Sequence, residues 1–205
     1  MERVTTIGNR QSPGFSLVEL LLVIAVMTLL LVLAVPAVNS TLDGSNLQRS
    51  GFLISDVVQQ ARQFAAALNT PVEVRVYEIP VDGDKRWCAF RILAADPMDS
   101  DSSFTALTRL LRLNGATAVV PEHSPILGQA GISGTESLPA QGGNRAYRGF
   151  RIRPDGSLET LPGANANYLT IIHARHLANA GQTLPANFIT VQINPYTGTP
   201  VIYQP

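Results

Sequence analysis

The hydrophobic pattern at the start of the chain predicts a long helix in two parts. From Phe15 to Val38 nearly every residue is apolar, and the polar exceptions are Ser16, Glu19 and Thr28. A helix of this length is about 36 Å long, enough to cross a bilayer core of about 30 Å. Residues 39–46 are polar and suggest a break or a locally melted stretch. Helical spacing then resumes and predicts one buried face. Its members are Leu47, Gly51, Ile54, Val58, Ala61, Ala65 and Leu68.

The remainder of the chain alternates as β-strands do. In residues 72–77, valines occupy one face and polar or aromatic residues the other, which predicts a strand. Val81–Lys85 has the composition of a tight turn, and Arg86–Leu93 reads as the returning strand. Pro121–Asn144 has no periodicity and predicts a long surface loop. We favour a strand over a short helix for Thr105–Leu113. Further strands are predicted at Tyr147–Arg153, Ser157–Leu161, Tyr168–Ala174, Phe188–Asn194 and Val201–Tyr203.

These elements predict an α+β protein, with a long N-terminal helix packed on an antiparallel sheet. The helix has an apolar half that spans a membrane and an amphipathic half that lies on the sheet. We divide the chain into a leader at 1–14, an apolar helix at 15–38, the amphipathic half at 39–70 and a β-rich domain at 71–205.

Two ordinary explanations of the apolar segment leave something unexplained. A cleaved secretory signal has an apolar region of about 7 to 15 residues that ends in a small-residue site, and this segment is longer. A plain membrane anchor accounts for the length and for Arg3 and Arg10 on the cytoplasmic side. It does not account for Glu19, because a charge at a helix centre in the bilayer costs about 2.5 to 3.5 kcal/mol. No side chain from Phe15 to Val38 is cationic, but a new α-amine at Phe15 would supply a partner.

The string Gly14-Phe15-Ser16-Leu17-Val18-Glu19-Leu20 resembles the class III signal of type IV pilins and type II secretion pseudopilins. The resemblance implies a pilin-like fold. It also implies that a prepilin peptidase cleaves after Gly14 and methylates the amine of Phe15. Glu19 would then pair with that amine in a neighbouring subunit. Pro36 stands where the family often has a helix-loosening proline, although on physical grounds it is equally a helix end.

The C-terminal third resembles a narrower group. Phe150-x5-Gly156 and the turn from Asn194 to Gly198 are similar to the H-like minor pseudopilins and to the Verru_Chthon cassette protein D group. Cys88 is the one cysteine, so the paired C-terminal cysteines of many major pilins are missing. That departure favours a pseudopilin. We expect Cys88 to be a small buried hydrophobe.

Metal and catalytic chemistry find little support. Asp96, Asp99 and Asp101 are weak calcium candidates, because they lack the spacing of a known calcium loop. His173 and His176 stand three apart, so on a strand they point to opposite faces and would not share a metal. Catalytic triads and paired carboxylates lack their characteristic neighbours. We therefore expect no enzyme activity, no metal and no cofactor.

A basic and partly aromatic strip is predicted on the outward face of one strand. Its members are Arg145, Tyr147, Arg151 and Arg153. Such a strip binds nucleic acid through phosphate contacts in some minor pilins. However, Lys+Arg and Asp+Glu both number 15, so no net field attracts DNA. An arginine-rich strand face is more often simply solvated, and DNA is not the partner that we expect.

The sequence thus predicts a structural subunit of the inner membrane, with its N-terminus cytoplasmic and its β domain periplasmic or extracellular. Its expected partners are the prepilin peptidase and other pilin-like subunits of a helical filament. A minor pseudopilin of a type II secretion-like system is the first choice. A minor type IV pilin for adhesion or DNA uptake is the second, and a membrane-anchored binding module that never polymerises is the third.

Overall fold

The computed structural model describes residues 14–95, 104–113, 115–129, 132–159 and 166–205, and for residues 33–42 and 129 it describes the backbone alone. The chain divides into two compact units, Met1–Leu42 and Asp43–Pro205. The second unit contains the β domain and its own hydrophobic core. Calcium candidates Asp96, Asp99 and Asp101 lie outside the described residues, as does the leader up to residue 13.

Helix α1 spans Leu17–Leu68 without interruption, so the predicted break at residues 39–46 is wrong. A glycine inside a helix costs about 1 kcal/mol and a serine, threonine or aspartate less, while each added residue gains one hydrogen bond once a helix is nucleated. The helix backbone also continues through Pro36, which is therefore not a helix end. It ends before Asn69, whose φ of 48° is the left-handed conformation common just after a helix.

Within the described residues ten strands follow, all paired antiparallel. They are β1 (Val72–Val81), β2 (Asp84–Ala95), β3 (Phe104–Ala106), β4 (Leu111–Arg112), β5 (Thr117–Val119), β6 (Ile132–Leu138), β7 (Gly143–Ile152), β8 (Tyr168–His173), β9 (Ile189–Ile193) and β10 (Pro200–Tyr203). One short helix, α2 (Ile126–Gln129), and three 3₁₀ turns connect them. The 3₁₀ turns are Pro121–His123, Pro139–Gln141 and Ala174–Asn179. The predicted α+β class is confirmed.

The strands form two sheets. The first has six strands in the order β3-β2-β1-β7-β6, with β4 also paired to β2. The second has four strands in the order β10-β9-β8-β5. The predicted hairpin of β1 and β2 is confirmed, and its turn residues Asp82 and Gly83 have φ values of 53° and 89°. Positive φ at both positions is what a two-residue hairpin turn of type I′ requires.

The core joins α1 to both sheets. From the predicted helical face, every member but Leu68 is buried, and Leu68 is 50% exposed. The buried α1 residues form one cluster with Val72, Val74 and Val76 of β1 and with Ile189 of β9. Gly51 permits this approach, because a Cβ there would lie 3.1 Å from Ile189 Cγ2. The amphipathic half of the helix therefore packs as predicted.

Three predictions about the middle of the chain need correction. The loop predicted for Pro121–Asn144 contains α2, β6 and the start of β7, because β6 is a polar strand at a sheet edge and shows little alternation. Thr105–Leu113 forms two short strands, β3 and β4, instead of one. In the described part of Ser157–Leu161, pairing is limited to one bridge between Ile152 and Leu158.

Candidate functional site

The start of α1 is capped by a serine. Ser16 precedes the helix, and its hydroxyl oxygen accepts a hydrogen bond from the Val18 amide at 3.3 Å. Its carbonyl oxygen accepts from the amides of Glu19 and Leu20, both at 3.1 Å. Ser16 and Glu19 have the S-x-x-E spacing of a capping box. Sequence reasoning overlooked this pattern, although the signal for it was present.

Glu19 differs from the other polar side chains of this segment, because none of the described residues is its partner. Ser16 caps the helix, and Thr28 donates its hydroxyl hydrogen to the Ile24 carbonyl at 2.7 Å. Among the described residues, no hydrogen bond or ion pair is recorded for the Glu19 side chain. The helix N-terminus offers partial positive charge, which stabilises an anion in the first turn by about 0.3 to 1 kcal/mol.

The first turns of α1 expose apolar surface on every side. Phe15 is 75% exposed and Leu17 is 76% exposed, and large apolar side chains remain exposed up to Val32. Helices that are apolar all round are normally buried in a core or a membrane, and large exposed patches mark interaction sites. No helix within the described residues is both long and apolar enough to cross a membrane.

Packing within the chain does not require glycine at position 14. A Cβ built on Gly14 meets no described atom within 4 Å, and its φ lies outside the left-handed region. Among the described residues, packing thus gives no reason for a glycine at this position.

Residues 9–35 match the family model of the prokaryotic N-terminal methylation motif. The chain carries a pilin-type signal. The match covers the capped helix start, Glu19 and most of the exposed apolar surface, and it supports a pilin-like subunit of the class that prepilin peptidase processes. Proteins with this signal are structural subunits and not enzymes. Neither the curated proteins nor the solved structures include a match to the chain.

Most side chains of the predicted arginine strip already contact other groups of the chain. Arg151 Nε lies 3.4 Å from a carboxylate oxygen of Glu73, which is 1% exposed. Arg145 Nε donates to the Gln141 carbonyl at 2.9 Å. The Tyr147 ring lies 4.1 Å below the guanidinium carbon of Arg75. Arg153 alone of the four is exposed. This arrangement does not favour a nucleic-acid surface.

Arg151 of the strip belongs to a charged cluster on one face of the six-stranded sheet. Glu73 also accepts from Arg75 Nε at 2.7 Å. Glu136 accepts from Arg75 and Arg91 at 2.7 and 2.9 Å, and from the Tyr77 hydroxyl at 2.6 Å. Burial and the bond to Glu136 raise the pKa of Tyr77, so the phenol stays protonated. The two carboxylates hold three arginines in the sheet, which makes the cluster structural.

One of the two histidines, His173, contacts a carboxylate of α1 within the second unit. His173 Nε2 lies 3.0 Å from Asp43 Oδ1, and Arg175 pairs with the other oxygen of Asp43. Arg175 Nε donates to His176 Nε2 at 3.0 Å. Burial lowers the pKa of His173, against the opposing effect of Asp43. A group of three side chains suited to a metal ion does not occur in the described part of the chain.

Cys88 lies at a register shift between β1 and β2, where Tyr77 and Glu78 pair with Ala89 and Trp87. It is buried and unbridged. Burial raises the pKa of its thiol. The expectation of a small buried hydrophobe is confirmed.

Proposed function

We propose that the chain is a minor pseudopilin of a type II secretion-like system, cut between Gly14 and Phe15 and assembled through its exposed N-terminal helix. The observation that carries the proposal is Glu19, an unpartnered carboxylate in the first turn of a helix whose apolar surface is exposed. Cleavage creates the missing cation, because it leaves an α-amine on Phe15.

The energetics favour that pairing. Two unit charges about 4 Å apart attract by about 4 kcal/mol at an effective dielectric constant of about 20. A carboxylate at the centre of a membrane helix costs about 2.5 to 3.5 kcal/mol. A methylated Phe15 amine from a neighbouring subunit would therefore offset the burial of Glu19. It would also set the stagger between adjacent helices, because each amine must align with the Glu19 of a neighbour.

The proposed location is the inner membrane, and the proposed partners are prepilin peptidase and other pilin-like subunits. The Phe15–Val38 segment would anchor the precursor in the inner membrane, with the leader in the cytoplasm and residues 71–205 outside. Prepilin peptidase would act first and other pilin-like subunits later. Pro36 would allow the helix to bend in the filament. The single buried Cys88 supports a pseudopilin over a major pilin with paired cysteines.

Processing is tested by mass spectrometry of the mature N-terminus. In cells with the peptidase, we expect the wild-type chain to begin at a methylated Phe15. Gly14→Val should accumulate as the full precursor in the membrane fraction. Gly44→Ala is the matched control, because a Cβ there also meets no described atom within 4 Å, and it should be processed normally. Normal cleavage of Gly14→Val would contradict the assigned site.

Assembly is tested separately. Glu19→Gln should be cleaved and methylated but should be incorporated poorly into filaments, since it keeps the shape and loses the charge. Thr28→Val is the control, because the Thr28 hydroxyl is already bonded to Ile24 within the helix. If Glu19→Gln enters filaments as well as wild type, assembly does not depend on the Glu19 charge. If the wild-type chain itself enters no filament, the chain is better explained as a membrane-anchored binding module.

A further inference from the structure

A cleft lies between α1 and the turn that follows β7. Its volume is about 260 Å³, and α1 lines one wall with Gln59, Arg62, Gln63 and Ala66. Residues 154–156 form the opposite wall. Pockets for drug-sized ligands measure about 300 to 1,000 Å³, so this cleft suits a smaller chemical group. All its residues belong to the second unit.

Two glycine turns hold the arginine of this cleft. A Cβ on Gly198 would lie 2.9 Å from Arg62 Cδ, and a Cβ on Gly156 would lie 3.6 Å from Arg62 Nε. Both glycines have positive φ, 61° and 84°, so the chain turns sharply at each. The stem of Arg62 is thereby confined between the two turns, and its guanidinium is positioned before any ligand arrives.

Arg62 has no acidic partner in the described part of the chain. Its Nε is buried without a hydrogen-bond acceptor, and no ion pair involves its guanidinium. Asp155 lines the cleft, but one of its carboxylate oxygens already accepts from the Ser157 amide at 2.9 Å and hydroxyl at 2.6 Å. A buried donor left unsatisfied costs about 1 to 3 kcal/mol. A ligand whose acceptor reaches this buried atom would recover that energy.

We propose that this cleft binds a single carboxylate group. A guanidinium presents its donors in a planar fork that matches a carboxylate. The neighbouring Gln63 offers an uncharged amide donor, and Gln59 Nε2, which donates one hydrogen to Ser55 Oγ at 3.5 Å, keeps a second. Asp155, whose pKa is lowered by the Ser157 hydrogen bonds, adds a negative charge to the cleft wall, which disfavours highly charged anions more than a single carboxylate. The carboxylate belongs to a free small acid or to a Glu or Asp side chain of a peptide.

Binding is measured on the full chain in detergent micelles, from the NMR signals of the arginine Nε–H groups. Sodium acetate should shift the Arg62 signal saturably, and sodium chloride at equal ionic strength should not. Capped Gly-Glu-Gly tests the peptide source against capped Gly-Gln-Gly. Saturable shifts with acetate alone assign a free acid, and tighter binding of the glutamate peptide assigns a protein side chain. Inorganic phosphate that binds as tightly as acetate, or no saturable shift with either carboxylate, overturns the proposal.

Variants separate the cleft from the general surface. Arg62→Gln should weaken acetate binding at least about tenfold, the equivalent of about 1.4 kcal/mol. Arg153→Gln removes an exposed arginine beside the same turn and should bind like wild type. Gln59→Glu keeps Arg62 in place and supplies an internal carboxylate three residues away, so it should compete with acetate even if Arg62→Gln folds poorly. Undiminished binding by Gln59→Glu would contradict the site.

Discussion

The contact between the two glycine turns predicts an unusually large cost for one methyl group. In Gly198→Ala the new Cβ would overlap the carbonyl oxygen of Gly156 and would lie 2.9 Å from Arg62 Cδ. The residue would also keep a φ of 61°. Left-handed backbone costs an L-residue about 1 to 2 kcal/mol, and overpacking a filled site adds about 1 to 3 kcal/mol. We expect Gly198→Ala to reduce the free energy of unfolding by about 2 to 5 kcal/mol.

Gly83→Ala isolates the backbone part of that cost. Gly83 has a φ of 89° in the hairpin turn, and a Cβ there meets no described atom within 4 Å. Its alanine variant should therefore lose about 1 to 2 kcal/mol, the conformational part alone. The difference between the two variants measures the close packing of Gly198 against the Gly156 carbonyl and Arg62 Cδ together.

The assay is urea unfolding of the full chain in detergent micelles. Trp87 is the single tryptophan and lies on β2, so its fluorescence reports on the β domain. The variants are compared only where the slope of unfolding free energy against urea concentration is unchanged, because a different slope would indicate a different unfolded or native state. Equal losses for Gly198→Ala and Gly83→Ala would refute the close contact, and with it the confinement of Arg62.

Two further predictions concern the ionisable groups. Glu73→Gln leaves two arginines without their buried carboxylate and should lower the free energy of unfolding in urea by about 2 to 4 kcal/mol. The control Glu78→Gln, on the same strand, should cost less than about 0.5 kcal/mol. Equal costs for the two variants would contradict a structural role of the charged cluster. Because burial lowers the pKa of His173 below 6.5, the unfolded chain binds more protons in that range, and stability should fall as the pH drops through 6.5. His173→Gln should flatten this part of the curve of stability against pH, and an unchanged slope would show that another group titrates.

Local signals predicted the parts of the fold that depend on local physics. The buried face of α1 follows from helical spacing, and the hairpin of β1 and β2 follows from alternation around Asp82 and Gly83. In both cases residues close in sequence determine the geometry. The capping role of Ser16 belongs to the same class and could have been predicted from its spacing to Glu19.

The features that could not be predicted depend on contacts between residues far apart in the sequence. β6 is polar because it lies at a sheet edge. Gly134 on this strand faces the Tyr147 ring, and a Cβ on Gly134 would lie 3.0 Å from the Tyr147 hydroxyl oxygen. The alternation of the arginine strip was visible, but the pairing of Arg151 with Glu73 was not, because 78 positions separate the two residues. Arg62 likewise acquires its surroundings from two turns far away in the sequence.

The capped helix start reduces the free-energy cost of burying the Glu19 carboxylate but does not remove it. Because α1 begins at Leu17, Glu19 lies in its first turn, where the helix dipole contributes about 0.3 to 1 kcal/mol. That contribution offsets only part of the roughly 2.5 to 3.5 kcal/mol that a carboxylate costs at the centre of a membrane helix. The cost is smaller near the membrane surface, so the helix end alone suits a precursor with Glu19 close to the headgroups. It does not suit a filament core, where Glu19 would be buried among apolar helices, and a full cationic partner such as the Phe15 amine is then required.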